Sequence, residues 1–163
     1  MNTAAPDLLQ ATQASRLAYG LNADQVAVLA GVLRLQTCQP NDVLAREGTV
    51  DNHLYAIVDG ALSIVKHLGE EDEETLVTLN AGDFVHELGF LDSKERYATL
   101  RAASAARVLV LERERLESLI DTHPRVLYAV MRSILRTGHS VQTKMAVQAA
   151  ELTNYIVKQH GRY

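Results

Sequence analysis

The stretch from Gly82 to Ala103, GDFVHELGFLDSKERYATLRAA, carries the residues whose types and spacing best suit chemistry. An acidic residue in an apolar setting, Glu87, is followed after eight residues by a lone arginine, Arg96, ahead of an apolar strand. Eight residues are enough for a short helical turn and a loop. The first turn of a helix offers unpaired backbone N–H groups, which attract anions. An arginine arriving from the far end of the loop closes on the same anion with two parallel hydrogen bonds. A carboxylate beside it cannot hold a phosphate, but it accepts hydrogen bonds from sugar hydroxyls. The stretch therefore reads as a pocket for a phosphate attached to a sugar. The acidic Glu95 next to Arg96 is a competing partner for the guanidinium.

Other chemistries fit less well. HELGF resembles the zinc motif H-E-x-x-H, but its fifth residue is Phe90, so the second ligand is missing. His53, His67, His123, His139 and His160 show no metal-ligand spacing, and Cys38 is the single cysteine, with no plausible base in sequence. There is no P-loop and no G-x-S-x-G. No catalytic residue, metal or required cofactor is expected, nor is an enzyme. A lone cysteine allows no internal disulfide and fits a reducing, cytoplasmic setting. The start MNTAAPDLLQATQ has neither a basic opening nor an apolar run, so no signal peptide is read, and no run of 18 apolar residues suggests a membrane span.

The elements that must position this stretch come from the rest of the chain. The 163 residues suit one domain, and the 47% hydrophobic and 22% charged fractions are ordinary for a globular protein. Sixteen basic against twenty acidic residues give a net charge of −4, which argues against broad non-specific nucleic-acid binding. Asp7 to about Tyr19 reads as a helix ended by Gly20. Asn22, with Gln25 three residues on, caps a second helix from about Ala23 to Leu33. From Arg34 the texture becomes short apolar runs punctuated by Gly, Asn and Asp, spaced as in an antiparallel sandwich or barrel. Asp59-Gly60 reads as a hairpin turn. The acidic run Glu70–Glu74 reads as a solvated hairpin tip. Glu112 to Thr122 reads as a helix broken by His123-Pro124, with Pro124 opening a long helix.

On that long helix Met131, Ile134, Gly138, Val141, Met145, Gln148, Leu152 and Tyr155 are spaced alternately three and four apart. This spacing predicts a coiled-coil seam and a homodimer interface, with Gly138 permitting close approach and Gln148 fixing register.

The Gly82–Ala103 stretch resembles the phosphate-binding cassette of cyclic nucleotide-binding domains, the family of the catabolite activator protein and the protein kinase A regulatory subunits. Gly82, Asp83, Glu87, Leu88, Arg96, Ala98, Thr99 and Ala102 fall on its pattern without a gap. His86 stands where the pattern has Gly, and Tyr97 where it has a small residue. The resemblance, from about residue 22 to 140, implies a mainly β fold with flanking helices: an eight-stranded antiparallel jelly roll (a double-stranded β-helix), then a long C-terminal dimerisation helix. The expected division is N-terminal helices over 1–33, the β-roll over 34–111 with the cassette at 82–103, and C-terminal helices over 112–163, all one cyclic nucleotide-binding domain. It implies a ligand set of His86, Glu87, Leu88, Arg96, Tyr97, Ala98, Val141 and Gln142, with Tyr97 acting through its backbone N–H and the two helix residues placed near the base. The ligand would be cAMP or cGMP, and the function a bacterial, non-enzymatic, homodimeric sensor in signal transduction that relays occupancy to an unknown downstream protein. The alternative is a degenerate copy acting as a ligand-independent dimerisation or scaffolding module, and a third reading takes a cyclic dinucleotide. Regulators of this family carry a helix-turn-helix domain after the long helix. The sequence stops at Tyr163, so DNA binding by that route is not expected.

Overall fold

The computed structural model describes residues 4–67, 72–85, 87–138, 146, 147 and 150. Helix α1 (Ala4–Ala14) is followed by a 3₁₀ turn (Arg16–Ala18) and α2 (Ala23–Val32). Eight strands follow: β1 (Leu33–Cys38), β2 (Val43–Ala45), β3 (His53–Asp59), β4 (Ala61–His67), β5 (Glu73–Asn80), β6 (Phe84–Val85), β7 (Thr99–Ala102) and β8 (Ala106–Glu112). Helix α3 (Glu87–Asp92) sits between β6 and β7, and α4 (Arg113–Glu117) follows β8. The chain is helical again over 124–138, here α5. The strands form two four-stranded antiparallel sheets, ordered β1-β8-β3-β6 and β2-β7-β4-β5, the layout of a jelly roll.

Local chemistry sets the helix limits. At α2, Asn22 Oδ1 accepts from Gln25 N at 2.9 Å while Gln25 Oε1 accepts from Asn22 N at 3.0 Å, a complete capping box. Helix α1 ends at Ala14, short of the expected limit at Tyr19, because the Ser15 hydroxyl accepts from Leu17 N and starts a separate 3₁₀ turn. Helix α4 is likewise shorter than expected. After Glu117 the bonds tighten to Leu119 N→Leu116 O and Ile120 N→Glu117 O, so residues 118–122 are turns rather than helix.

The Asp59-Gly60 expectation is overturned. These residues do not close a hairpin, because β3 pairs with β6 and β8 whereas β4 pairs with β5 and β7. Gly60 is instead the corner where the chain passes from one sheet to the other. Its φ of +77° suits glycine, and a Cβ there would stand 2.2 Å from the Ala105 carbonyl oxygen. Of the acidic run, Glu73 and Glu74 belong to β5 rather than to a tip, and Glu73 takes both amino groups of Arg101 at 2.7 and 2.9 Å, while Glu70 and Glu71 lie outside the described residues.

Two apolar cores explain why β3 and β8 are apolar on both faces. Successive strand residues point to opposite sides. Leu54, Ala56, Leu109 and Leu111 face the helices, joining Leu17, Leu29, Phe84, Phe90, Val130 and Ile134. Tyr55, Ile57, Val108 and Val110 face the interior of the roll, joining Leu62, Leu79, Val85 and Leu100.

On α5 the expected seam is corrected at Ile134. Ile134 is 1% exposed and packs in its own core, with Met131 partly buried against the same cluster. The exposed large apolar residues of this helix are Tyr128 and Leu135. Gly138 is half-buried, while Val141, Met145, Gln148, Leu152 and Tyr155 lie outside the described residues. A helix whose core stripe includes Val126, Val130 and Ile134 must turn a different row outward.

Gly60→Ala is expected to destabilise the fold by about 2 kcal/mol or more, from the left-handed backbone and the collision with Ala105 together. Urea denaturation monitored by circular dichroism measures it; an unchanged midpoint would contradict the corner geometry.

Candidate functional site

Arg96 lies between α3 and β7, and its backbone is stitched to the loop after β2. Arg96 N donates to Thr49 O at 2.9 Å, and Gly48 N donates to Arg96 O at 2.8 Å, beside a bridge between Val50 and Glu95. These bonds turn the side chain inward, where only 3% of it is exposed. A buried guanidinium needs a counter-charge and saturated donors. Asp51 supplies the charge: its Oδ2 accepts from Arg96 Nε at 2.9 Å and Nη2 at 2.6 Å. Nη2 also donates to the His53 carbonyl at 3.2 Å, and the guanidinium carbon stands 5.2 Å from the centre of the Tyr55 ring.

Asp51 is itself held from other sides. Its Oδ1 pairs with His53 Nδ1, and Tyr55 Oη reaches Oδ2 at 3.4 Å. Burial pushes the Asp51 carboxyl up, but the Arg96 charge and the His53 hydrogen bond outweigh it, so the group lies below its ordinary value. Burial first, and then the Asp51 charge, push the Tyr55 phenol up to about 12, so it stays a donor at neutral pH.

Beside Arg96 a cavity of about 170 Å³ opens, lined by Ile64, Val85, Arg96, Tyr97, Ala98, Thr99 and Leu100. Three expected site residues, Arg96, Tyr97 and Ala98, thus share one wall. The Tyr97 side chain is exposed and lies under Lys66, whose Nζ is 4.1 Å from the ring centre and donates to Tyr97 O at 2.7 Å. Glu87 and Leu88 open α3, but their side chains lie outside the described residues, as do His86, Val141 and Gln142 entirely. Phe90 of α3 is fully buried and anchors the cassette helix in the helical core.

Sequence reasoning does not find Asp51, His53 or Tyr55. Glu95, the acidic neighbour expected to compete for Arg96, is exposed. The partner instead comes from 45 residues earlier in the chain. Among the described residues no cluster of His, Cys, Asp or Glu is placed to hold a metal ion, and no helix is long and apolar enough to cross a membrane.

A family model described as the cyclic nucleotide-binding domain matches residues 35–123. A protein of Rhodopseudomonas palustris named as a putative potassium channel protein is 30% identical over 127 residues, covering 77% of this chain and 30% of that protein. The cAMP-activated global transcriptional regulator CRP of Salmonella typhimurium is 33% identical over 94 residues, covering 57% of this chain and 45% of the regulator. The chain thus spans less than half the length of either relative. The crystal structure of a cyclic nucleotide-binding domain from Methylobacillus flagellatus superposes with a TM-score of 0.69 at 19% identity, covering 95% of this chain and 83% of that one.

Asp51→Asn is expected to cost about 3 kcal/mol at pH 7, because it leaves the Arg96 charge buried without its partner. A carboxyl held below its ordinary value stabilises the fold above about pH 4 and loses that contribution as pH falls through the lowered value. The gap between wild type and variant should therefore narrow in urea titrations from about pH 7 to about pH 3. A gap of constant size would contradict the pair.

Proposed function

The chain belongs to the cyclic nucleotide-binding domain family, and on that premise we propose that it binds a cyclic nucleotide, cAMP or cGMP, in the roll. The observation that carries this reading is the buried Arg96 fork beside the cavity lined by Val85, Ala98, Thr99 and Leu100. A guanidinium has five N–H donors in a fixed plane. The bonds to Asp51 and His53 engage Nε and Nη2. Nη1 is not used by them and serves the phosphate, with Asp51 holding the fork in place. Glu87 takes the ribose hydroxyl, as its place on the family pattern implies.

Occupancy passes from the cassette to α5. Phe90 of α3 shares one core with Val126, Val130 and Ile134 of α5, so a shift of α3 must be absorbed there. Such a relay requires the ligand to prefer one arrangement of the helices. The outward row of α5 pairs with a second copy of the chain. Tyr128 and Leu135 are exposed and Met131 and Gly138 half-buried at the edge of the row; their spacing of three, four and three continues in the sequence through Gln142, Met145, Ala149 and Leu152. This row replaces the seam through Ile134.

The second reading, a ligand-independent dimerisation module, is favoured by the carboxylate already on Arg96 and by His86 in place of glycine. A thermal-shift titration separates the two. Ligand at one hundred times its dissociation constant adds about 2.7 kcal/mol to the folded state. For a chain of this size the melting temperature should rise by about 5–10 °C with cAMP or cGMP. Arg96→Lys keeps a charge for Asp51 but loses the fork, and should weaken binding about tenfold or more. No rise with either nucleotide favours the second reading.

For the dimer, Leu135→Glu should give monomers in sedimentation, and the melting temperature should lose its dependence on protein concentration. Ile134→Ala should instead cost about 2–5 kcal/mol of stability. Dimers that survive Leu135→Glu would rule out the outward row.

A further inference from the structure

Away from the cassette, Arg132 and Arg136 of α5 stand against the Tyr19-Gly20 dipeptide, and Arg16 lines the adjoining cavity. Arg136 Cζ stands 5.9 Å from the centre of the Tyr19 ring. Arg132 Nη2 lies 3.4 Å from where a Cβ on Gly20 would stand. Arg16, from the 3₁₀ turn, lines a cavity of about 300 Å³ together with Tyr19, Ser133, Arg136 and Thr137. The junction is fixed by the buried Ser133, whose hydroxyl donates to the Arg16 carbonyl. Among the described residues, none of the three arginines forms an ion pair.

This arrangement is unusual for a chain with a net charge of −4. Acidic side chains outnumber basic ones, yet the described residues lining this cavity include two arginines and no carboxylate, with Arg132 beside them at Gly20. Tyr19 is 65% exposed with Arg136 over its ring, and Arg132 stands 5.8 Å from the centre of the exposed Tyr128 ring. Exposed tyrosine and arginine are the side chains most enriched where proteins hold one another. A guanidinium fork matches a carboxylate with two parallel bonds. Arg132 and Arg136 are four residues apart on α5, about 6 Å along its axis. That spacing suits carboxylates two apart on a strand or four apart on a helix.

We infer that the Arg16–Tyr19–Arg132–Arg136 surface is a docking site for an acidic segment of a partner protein. The site does not depend on nucleotide binding. It does adjoin the cassette, since Arg16 Nε lies 3.5 Å from the Cβ position of Gly82, at the turn leading into it.

The test uses fluorescein-labelled hexaglutamate and fluorescence anisotropy with the full chain at low salt. Wild type should bind the peptide saturably, and added salt should weaken binding, as charge pairing on a surface requires. Arg132→Gln/Arg136→Gln should weaken it about tenfold or more, since each loses charged hydrogen bonds. Arg46→Gln, an exposed arginine elsewhere, should leave it within about twofold, the scatter of a surface change. Absence of saturable binding, or equal loss in Arg46→Gln, overturns the proposal. So does binding of pyrophosphate with no binding of hexaglutamate. Circular dichroism of each variant checks folding, and cAMP binding by the double variant keeps a failure here separate from a failure of the nucleotide reading.

Discussion

The ion pair between Arg96 and Asp51 is the constraint from which the site follows. An arginine cannot be buried alone, because removing its charge from water costs more than packing returns. Asp51 makes the burial tolerable, and it does so by bonding one edge of the guanidinium. The loop carrying Asp51 is in turn laced to the backbone around Arg96. His53 and Tyr55 close the far side of the carboxylate. The result is a guanidinium held in one orientation by Asp51 and the His53 carbonyl.

The two cores explain how this site connects to the rest of the molecule. Strands β3 and β8 contribute alternate residues to each, so the roll interior and the helical layer share the same backbone. Tyr55 faces the roll and supports Asp51, while its neighbours Leu54 and Ala56 face the helices. Phe90 carries the cassette helix into the helical layer, where α5 is packed. Close packing transmits displacement because interiors have few voids to absorb it.

Local signals in the sequence are legible where one short segment contains the whole interaction. The Asn22–Gln25 capping box is such a case, and the apolar runs after Arg34 mark the strands in about the right places. Legibility fails where a distant segment decides. Asp59-Gly60 has hairpin chemistry, but strand pairing across the molecule makes it a corner. Three-four spacing on α5 fits two adjacent rows, and only packing chooses between them, burying Ile134. Arg96 is identifiable from its place in the cassette, whereas Asp51 has no local mark to join it to a residue 45 positions away. Nothing local in the sequence joins Arg136 to Arg16 and Tyr19, and only the fold brings them beside one cavity.

The central claim is tested most directly by the side-chain Nε–H resonance of Arg96 in nitrogen-15 NMR. With Nε bonded to Asp51 inside the fold, the free protein should show a resonance protected from exchange with water. Saturating cAMP should shift it while leaving it protected. A resonance exchanging as fast as those of exposed arginines, and unmoved by the nucleotide, would contradict the account.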